Sequence, residues 1–316
     1  MPSCLWSWAM CTYSPLILRG VVNRFIISCH MYIFMFMSGY VAYVADESTL
    51  KKKIMKRLPT YVIPAFMLSW LSFPIAVFMG KKEWGDFFNS ALTGGLWYLK
   101  CLAIFCLLQY PIVKCRKLWL ELLFAGAVYV CFAALWKLFP QYATERYIPF
   151  EHCVCFYPSF LIGYYFRKYG LMQKLAERNW LFSVCLIGYV CLYFADMQTH
   201  IVGNICNRYV RPTLAILFIT YIFLRQEGET NWFLKKLEYF GRNSLDVYLF
   251  NGYFVLAYKM VDMTVVRDWT EAHNMPFVTL LAGIIISIII AYCCVWIGKL
   301  LHTSDFLEKC LYGKIK

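Results

Sequence analysis

Continuous apolar runs of about 20 residues recur along this chain from one end to the other, the length an α-helix needs to cross a hydrocarbon core. Inside a bilayer every backbone N–H and C=O must be satisfied internally, so only helices and closed barrels span it. The runs are continuous and do not alternate, which selects helices. Composition agrees, with 61% of the 316 residues hydrophobic and 16% charged. Soluble domains run at about 45–50% and about 25%. The expected fold class is all-α, a polytopic transmembrane helical bundle, and no Gly-, Pro- or Ser-rich linker sets off a soluble domain.

Nine spans are expected, over roughly 25–44, 61–79, 96–113, 118–138, 153–166, 180–195, 212–224, 244–261 and 276–301. Residues 1–24 are mixed and read as an external loop, 25–301 as the transmembrane domain and 302–316 as a cytoplasmic tail. Alternate connections then share a side. One set (45–60, 114–117, 167–179, 225–243 and the end from Lys299) holds 20 of the 31 Lys and Arg, and the other set holds eight. Positive charge collects in cytoplasmic loops, so the first set faces the cytoplasm, with the carboxyl terminus inside and the amino terminus outside. An outside start is unusual without an earlier helix, and an upstream tenth span is expected. The net charge of +13 is in this reading mostly topology, and no nucleic acid partner is expected. The fifteen cysteines fall mostly within apolar runs and read as small apolar residues. Cys153 and Cys155 have no second half of a zinc site, and no metal is expected.

One stretch concentrates the polar chemistry. His30 lies five residues into the first span, roughly 7 Å below its outer end. An ionisable group there faces the bundle interior or a water-filled cavity. It is either a general base toward a substrate hydroxyl or a neutral imidazole bonded to a neighbouring helix. Ser38, Gly39 and Tyr40 interrupt the run deeper in. Ser38 is eight positions from His30, about 80° around and roughly 12 Å along the helix, so the two are not a nucleophile–base pair. Packing or shaping of a ligand site is the reading for Ser38 and Gly39. Then comes a basic loop with Lys51, Lys52, Lys53, Lys56 and Arg57, closed by Pro59 and Pro64. It either anchors the membrane surface or captures a polyphosphate ligand, such as coenzyme A.

Elsewhere, His152 follows Glu151 at the outer start of the fifth span, and His200 and His273 fall on the same side, with His302 inside. Gly94, Gly95, Leu96, Trp97, Tyr98 and Leu99 open the third span with aromatics suited to a membrane interface. Asn243 and Asp246 stand at cap and capping-box positions of the eighth, which also carries Asn251.

In order, CHMYIFMFMSGYVAY, KKKIMKRLPTYVIP, GGLWYL and GRNSLDVYLFN resemble signatures of the acyltransferase 3 family, over roughly residues 25–300. These are integral-membrane O-acyltransferases of bacterial envelope glycans. The resemblance implies a multi-pass protein of the bacterial cytoplasmic membrane, with an acyl-coenzyme A donor, commonly acetyl-CoA, and a glycan hydroxyl as acceptor. It implies that Lys53, Lys56 and Arg57 bind the donor and that His30 acts at the acceptor end. Ser38, Gly39, Tyr40 and Trp97 would line the substrate site. Three positions differ from the family pattern. Tyr32 stands where a proline is usual, Asn251 stands where a histidine is usual, and no helix with the family's Arg and His precedes residue 25. A glycan flippase or a non-catalytic family member are the rival readings.

Overall fold

The computed structural model describes residues 18–71, 73–78, 83–87, 96–115, 117–140, 148–194, 201–225, 232–260 and 276–313. His200, His273, Gly94 and Gly95 lie outside them. Among the described residues the regular structure is helical, with no strand. The chain forms two compact units, one of Ser28–Gly228 with Tyr312–Lys316, the other of Met1–Ile27 with Glu229–Leu311.

Helix α1, Leu18–Ala42, starts seven residues ahead of the expected span, and the first unit takes its part from Ser28 onward. Next comes α2, Glu47–Leu71. Here the sequence expectation is corrected, because the basic stretch is helical and not a loop. Asp46 is the reason at the start. Its carboxylate accepts from Ser48 Oγ at 2.6 Å, Thr49 Oγ1 at 2.7 Å and Thr49 N–H at 2.8 Å. Those hydrogen bonds, from Ser48 and then Thr49, hold its carboxyl well below the usual aspartate range. Leu50 and Ile54 then bury one stripe against Cys106, while Lys51, Lys52 and Lys56 stay exposed. The stripe repeats at helical spacing, so these turns are amphipathic. Pro59 and Pro64 sit inside α2 and do not end it.

Then follow α3, Phe73–Phe78, α4, Trp97–Lys114, α5, Leu118–Leu138, α6, Phe150–Lys168, and the short α7, Leu171–Ala176. Next are α8, Asn179–Phe194, and α9, Ile201–Ile205. A π-helical segment, Cys206–Val210, runs straight into α10, Arg211–Arg225. Helix α2 packs on α4, α5 on α6, and α8 on α10. The core is aromatic: Trp97, Phe105, Phe132, Tyr157 and Phe160 are buried among Met35, Cys101 and Cys153.

Glycines set the closest crossing. A Cβ at Gly39 would overlap the Phe160 carbonyl of α6, and one at Gly163 would overlap the Phe36 carbonyl of α1. Small residues that let backbones touch are how helices associate where lipid removes the hydrophobic drive.

The second unit holds α11, Trp232–Arg242, α12, Ser244–Met260, α13, Pro276–Leu301, and α14, Asp305–Tyr312. Both α11 and α14 are helices in stretches read as a loop and a tail. Asn243 donates from Nδ2 to Tyr239 O at 2.7 Å, tying the start of α12 to the end of α11. Asp246 is buried, and its carboxylate fills the space beside Gly298 of α13. His302 lies 3.6 Å from Asp246 Oδ1 and 3.1 Å from Glu308 Oε1.

Among the described residues three helices are long and apolar enough to cross a membrane, Trp97–Lys114, Leu118–Leu138 and Gly283–Leu301. Their outer surfaces are apolar: Leu123, Val130, Ile289 and Trp296 are all exposed. Such a surface is costly in water and natural against lipid.

Candidate functional site

The first unit carries two polar clusters, one at the last turns of α1 and α6, the other at the start of α6 against the middle of α1. The basic end is built on the last turn of α1. Lys53 Nζ donates to Val41 O at 2.8 Å, filling one of the carbonyls a helix end leaves open. From α6, Arg167 donates from a guanidinium nitrogen to Tyr40 Oη at 3.0 Å, with its guanidinium 5.1 Å from the Tyr40 ring centroid. Arg57, one turn on from Lys53, completes the group. Burial first, then Arg57 and Arg167, hold the Lys53 ammonium below the ordinary lysine value. Among the described residues none of Lys53, Lys56, Arg57 and Arg167 is in an ion pair with a carboxylate. Three cations crowded without an acid leave a positive field that an anion would relieve. Lys56 lies on the exposed face of α2, apart from the partly buried Lys53 and Arg57.

The second cluster, the histidine end, lies at the start of α6 and against the middle of α1, where His30 is twelve residues in from Leu18 and not five residues from a helix end as expected. Trp97, 2% exposed, stacks on Phe156 at 5.2 Å and meets the His152 ring at 4.1 Å. Tyr32 packs on Phe156 at 4.8 Å. Ser28 and Tyr189 share a hydrogen bond of 2.9 Å. His30 is partly buried on α1, two residues from both Ser28 and Tyr32, and so about 200° around the helix from each, on a different face from the one that meets Phe156. Glu151 faces Arg208 of the π segment at 3.6 Å. The layer therefore combines the His152 imidazole, buried aromatics and a charged pair, a set suited to holding a polar ligand and moving a proton.

Between the ends, Ser38 Oγ and Tyr98 Oη lie 3.0 Å apart, joining α1 to α4. Gly39 is spent on the crossing with α6. Of the residues expected to line the site, Trp97 joins the histidine end and Tyr40 the basic end, whereas Ser38 and Gly39 hold helices together.

A family model described as an acyltransferase domain matches residues 7–296. The chain belongs to the acyltransferase 3 family. No curated protein matches it and no solved structure matches it. With the match covering most of the chain and three helices able to cross a bilayer, the protein is a membrane acyltransferase. Acyl transfer to a hydroxyl needs a held donor and a base for the proton released. This acyltransferase has cations at the last turns of α1 and α6 and the His152 imidazole at the start of α6. Sequence reasoning had weighed His152 and had passed over Arg167, Arg208 and Arg211. A usable signal was present: Arg208 and Arg211 stand three apart just before an apolar run, among connections otherwise poor in positive charge.

Proposed function

We propose that this acyltransferase moves an acyl group, acetyl in the simplest case, from a coenzyme A thioester to a hydroxyl of an envelope glycan. The observation that supports this reading is the acid-free basic cluster of Lys53, Arg57 and Arg167 at the last turns of α1 and α6, helices that also carry His30 at mid-length and His152 at the start. The cations hold the donor's phosphates by charge-assisted hydrogen bonds, with the arginines able to grip two oxygens at once. The donor's flexible arm runs from there along the bundle toward the acceptor. From His30 to Val41 is eleven residues, about 16 Å of helix.

At the histidine end His30 takes the proton of the acceptor hydroxyl. The oxygen attacks the thioester carbonyl, a C–O bond forms, the C–S bond breaks, and the coenzyme A thiolate leaves and takes a proton. Trp97 and Tyr32 border this layer and keep it dry, and Tyr40 braces Arg167 at the donor end. The basic end faces the cytoplasm, where acyl-coenzyme A is made, and the histidine end faces outward.

The test is donor binding. Changing Lys53, Lys56 and Arg57 together to Ala weakens coenzyme A binding by at least about tenfold for each engaged cation, since a charged hydrogen bond contributes about 1.5–3 kcal/mol. Unchanged affinity in the triple variant overturns the assignment. Mass spectrometry of surface glycans from a deletion strain separates the activities: loss of acyl groups supports transfer, and truncated or undisplayed glycan supports a flippase instead.

A further inference from the structure

Two side chains at the histidine end have no task in the chemistry just described. Arg208 lies in the π-helical segment and Arg211 opens α10 three residues later. A π turn carries an extra residue within a helical run, and such turns recur at functional sites. Here it sets both arginines toward the layer that holds Tyr32.

Arg208 is half accounted for. Glu151 is its only carboxylate among the described residues, and at 3.6 Å it lies beyond hydrogen-bond range. Its guanidinium lies 5.5 Å from the Trp136 ring, and its side chain is 35% exposed, so it is open to a ligand. Its other electrostatic neighbours are Tyr32, Cys155 and Tyr209, all uncharged at neutral pH. Arg211 has less. Its Nε is buried with no hydrogen-bond partner. Its electrostatic neighbours are Tyr32 and Tyr189, and among the described residues no carboxylate pairs with it. Of the two guanidiniums, Arg208 has one loosely placed carboxylate and Arg211 is paired with none among the described residues. A buried donor left unmade and a cation without a counter-ion are both costly, more so in low dielectric.

We propose that Arg208 and Arg211 form an oxyanion subsite beside the acceptor, so that the glycan this protein acylates is an acidic one. This rests on the reading that the histidine end takes the acceptor. The oxyanion is a sugar carboxylate or a phosphate carried by the glycan. Either fits the fork of an arginine, and either completes the charge that Glu151 leaves unbalanced. An anion held here fixes the sugar ring at one end, which selects which hydroxyl is presented for transfer. Acidic glycans are thereby favoured over neutral ones through binding, not through the chemical step.

The full-length protein in phosphatidylcholine nanodiscs tests this by calorimetry with three probes: a glucuronate trisaccharide, its carboxyl-reduced neutral counterpart, and a glycerol phosphate trimer. Wild type binds at least one acidic probe about tenfold or more tighter than the neutral one, as one charge-assisted contact predicts. Preference for glucuronate assigns the carboxylate, and preference for glycerol phosphate assigns the phosphate. Arg211→Gln removes most of that preference. The Arg208→Lys/Arg211→Lys variant keeps the charge without the fork, and retains preference at reduced affinity. Equal binding of acidic and neutral probes by wild type, or full preference surviving in Arg208→Gln/Arg211→Gln, overturns the proposal. Coenzyme A binding in the same samples reports the distant basic end and the fold. A wild type that prefers acid but ignores coenzyme A counts against the donor assignment and leaves the subsite standing.

Discussion

At the residue scale, the positions that carry chemistry separate from those that carry packing. His30 is the base in the proposed reaction, and its replacement by Ala lowers the transfer rate by about 10²–10⁴-fold, the usual contribution of a positioned base. Single-turnover acyl transfer with saturating acceptor measures it, and a rate within a few-fold of wild type assigns the role to His152. Ser38 behaves differently. Its hydroxyl is engaged by Tyr98 at 3.0 Å, so Ser38→Ala costs about 1 kcal/mol of stability and leaves the rate nearly unchanged. The sequence alone excluded Ser38 as a partner for His30, because eight positions on one helix point the two side chains apart. It could not supply Tyr98, sixty residues away. Trp97 and His152 were each noticeable as an interfacial aromatic and a titratable group. Their 4.1 Å contact joins α4 to α6 and has no signature in either segment.

At the element scale, long apolar runs fixed most boundaries: α13 begins and ends where its hydropathy does, at Pro276 and Leu301. Amphipathic stretches were misread. The basic stretch looked like a loop because five cations and two prolines interrupt the apolar pattern. The Asp46 cap and the Leu50–Ile54 stripe make it helical, and neighbouring helices tolerate the prolines. The Asp46 contribution is present above the ordinary aspartate pKa and fades as pH falls below it, because the carboxylate is the form that accepts the three hydrogen bonds. Helix crossings give sharper tests. Gly39→Ala forces a methyl into the Phe160 carbonyl and destabilises the bundle by about 1–3 kcal/mol, read as a lowered unfolding midpoint. No shift there would mean the α1–α6 crossing is looser than described. Glu121 on α5 is buried and paired with Lys168 at the end of α6, with its second oxygen unpartnered. Lys168→Met strands that carboxylate and costs toward the low end of about 3–5 kcal/mol, as Lys168 is partly exposed. The Glu121→Leu/Lys168→Met double variant recovers most of the loss in the same unfolding experiment.

At the scale of the whole molecule, composition identified a membrane protein before any motif was considered, since 61% apolar residues exceed what a soluble core can bury. Short motifs in a fixed order pointed to the family, and the family model agrees across residues 7–296. The sequence reading put Lys53, Arg57 and Arg167 in connections read as cytoplasmic and His152 on the opposite side, and Arg167 and His152 do lie at opposite ends of α6. What stayed hidden was convergence: Arg167 comes from α6 to meet α1, and Arg208 comes from a π turn that no periodicity announces, with Arg211 opening α10 just after it. The two-ended architecture is tested most directly by labelling. Isotope-labelled acetyl-coenzyme A is supplied to the cytoplasmic face of inside-out membrane vesicles, and the glycan is analysed by mass spectrometry. Label enters the glycan with wild type, and fails to enter with the Lys53, Lys56 and Arg57 to Ala variant or with His30→Ala. Unlabelled glycan from wild type, or equal labelling by the triple variant, would contradict a donor dock at the basic end.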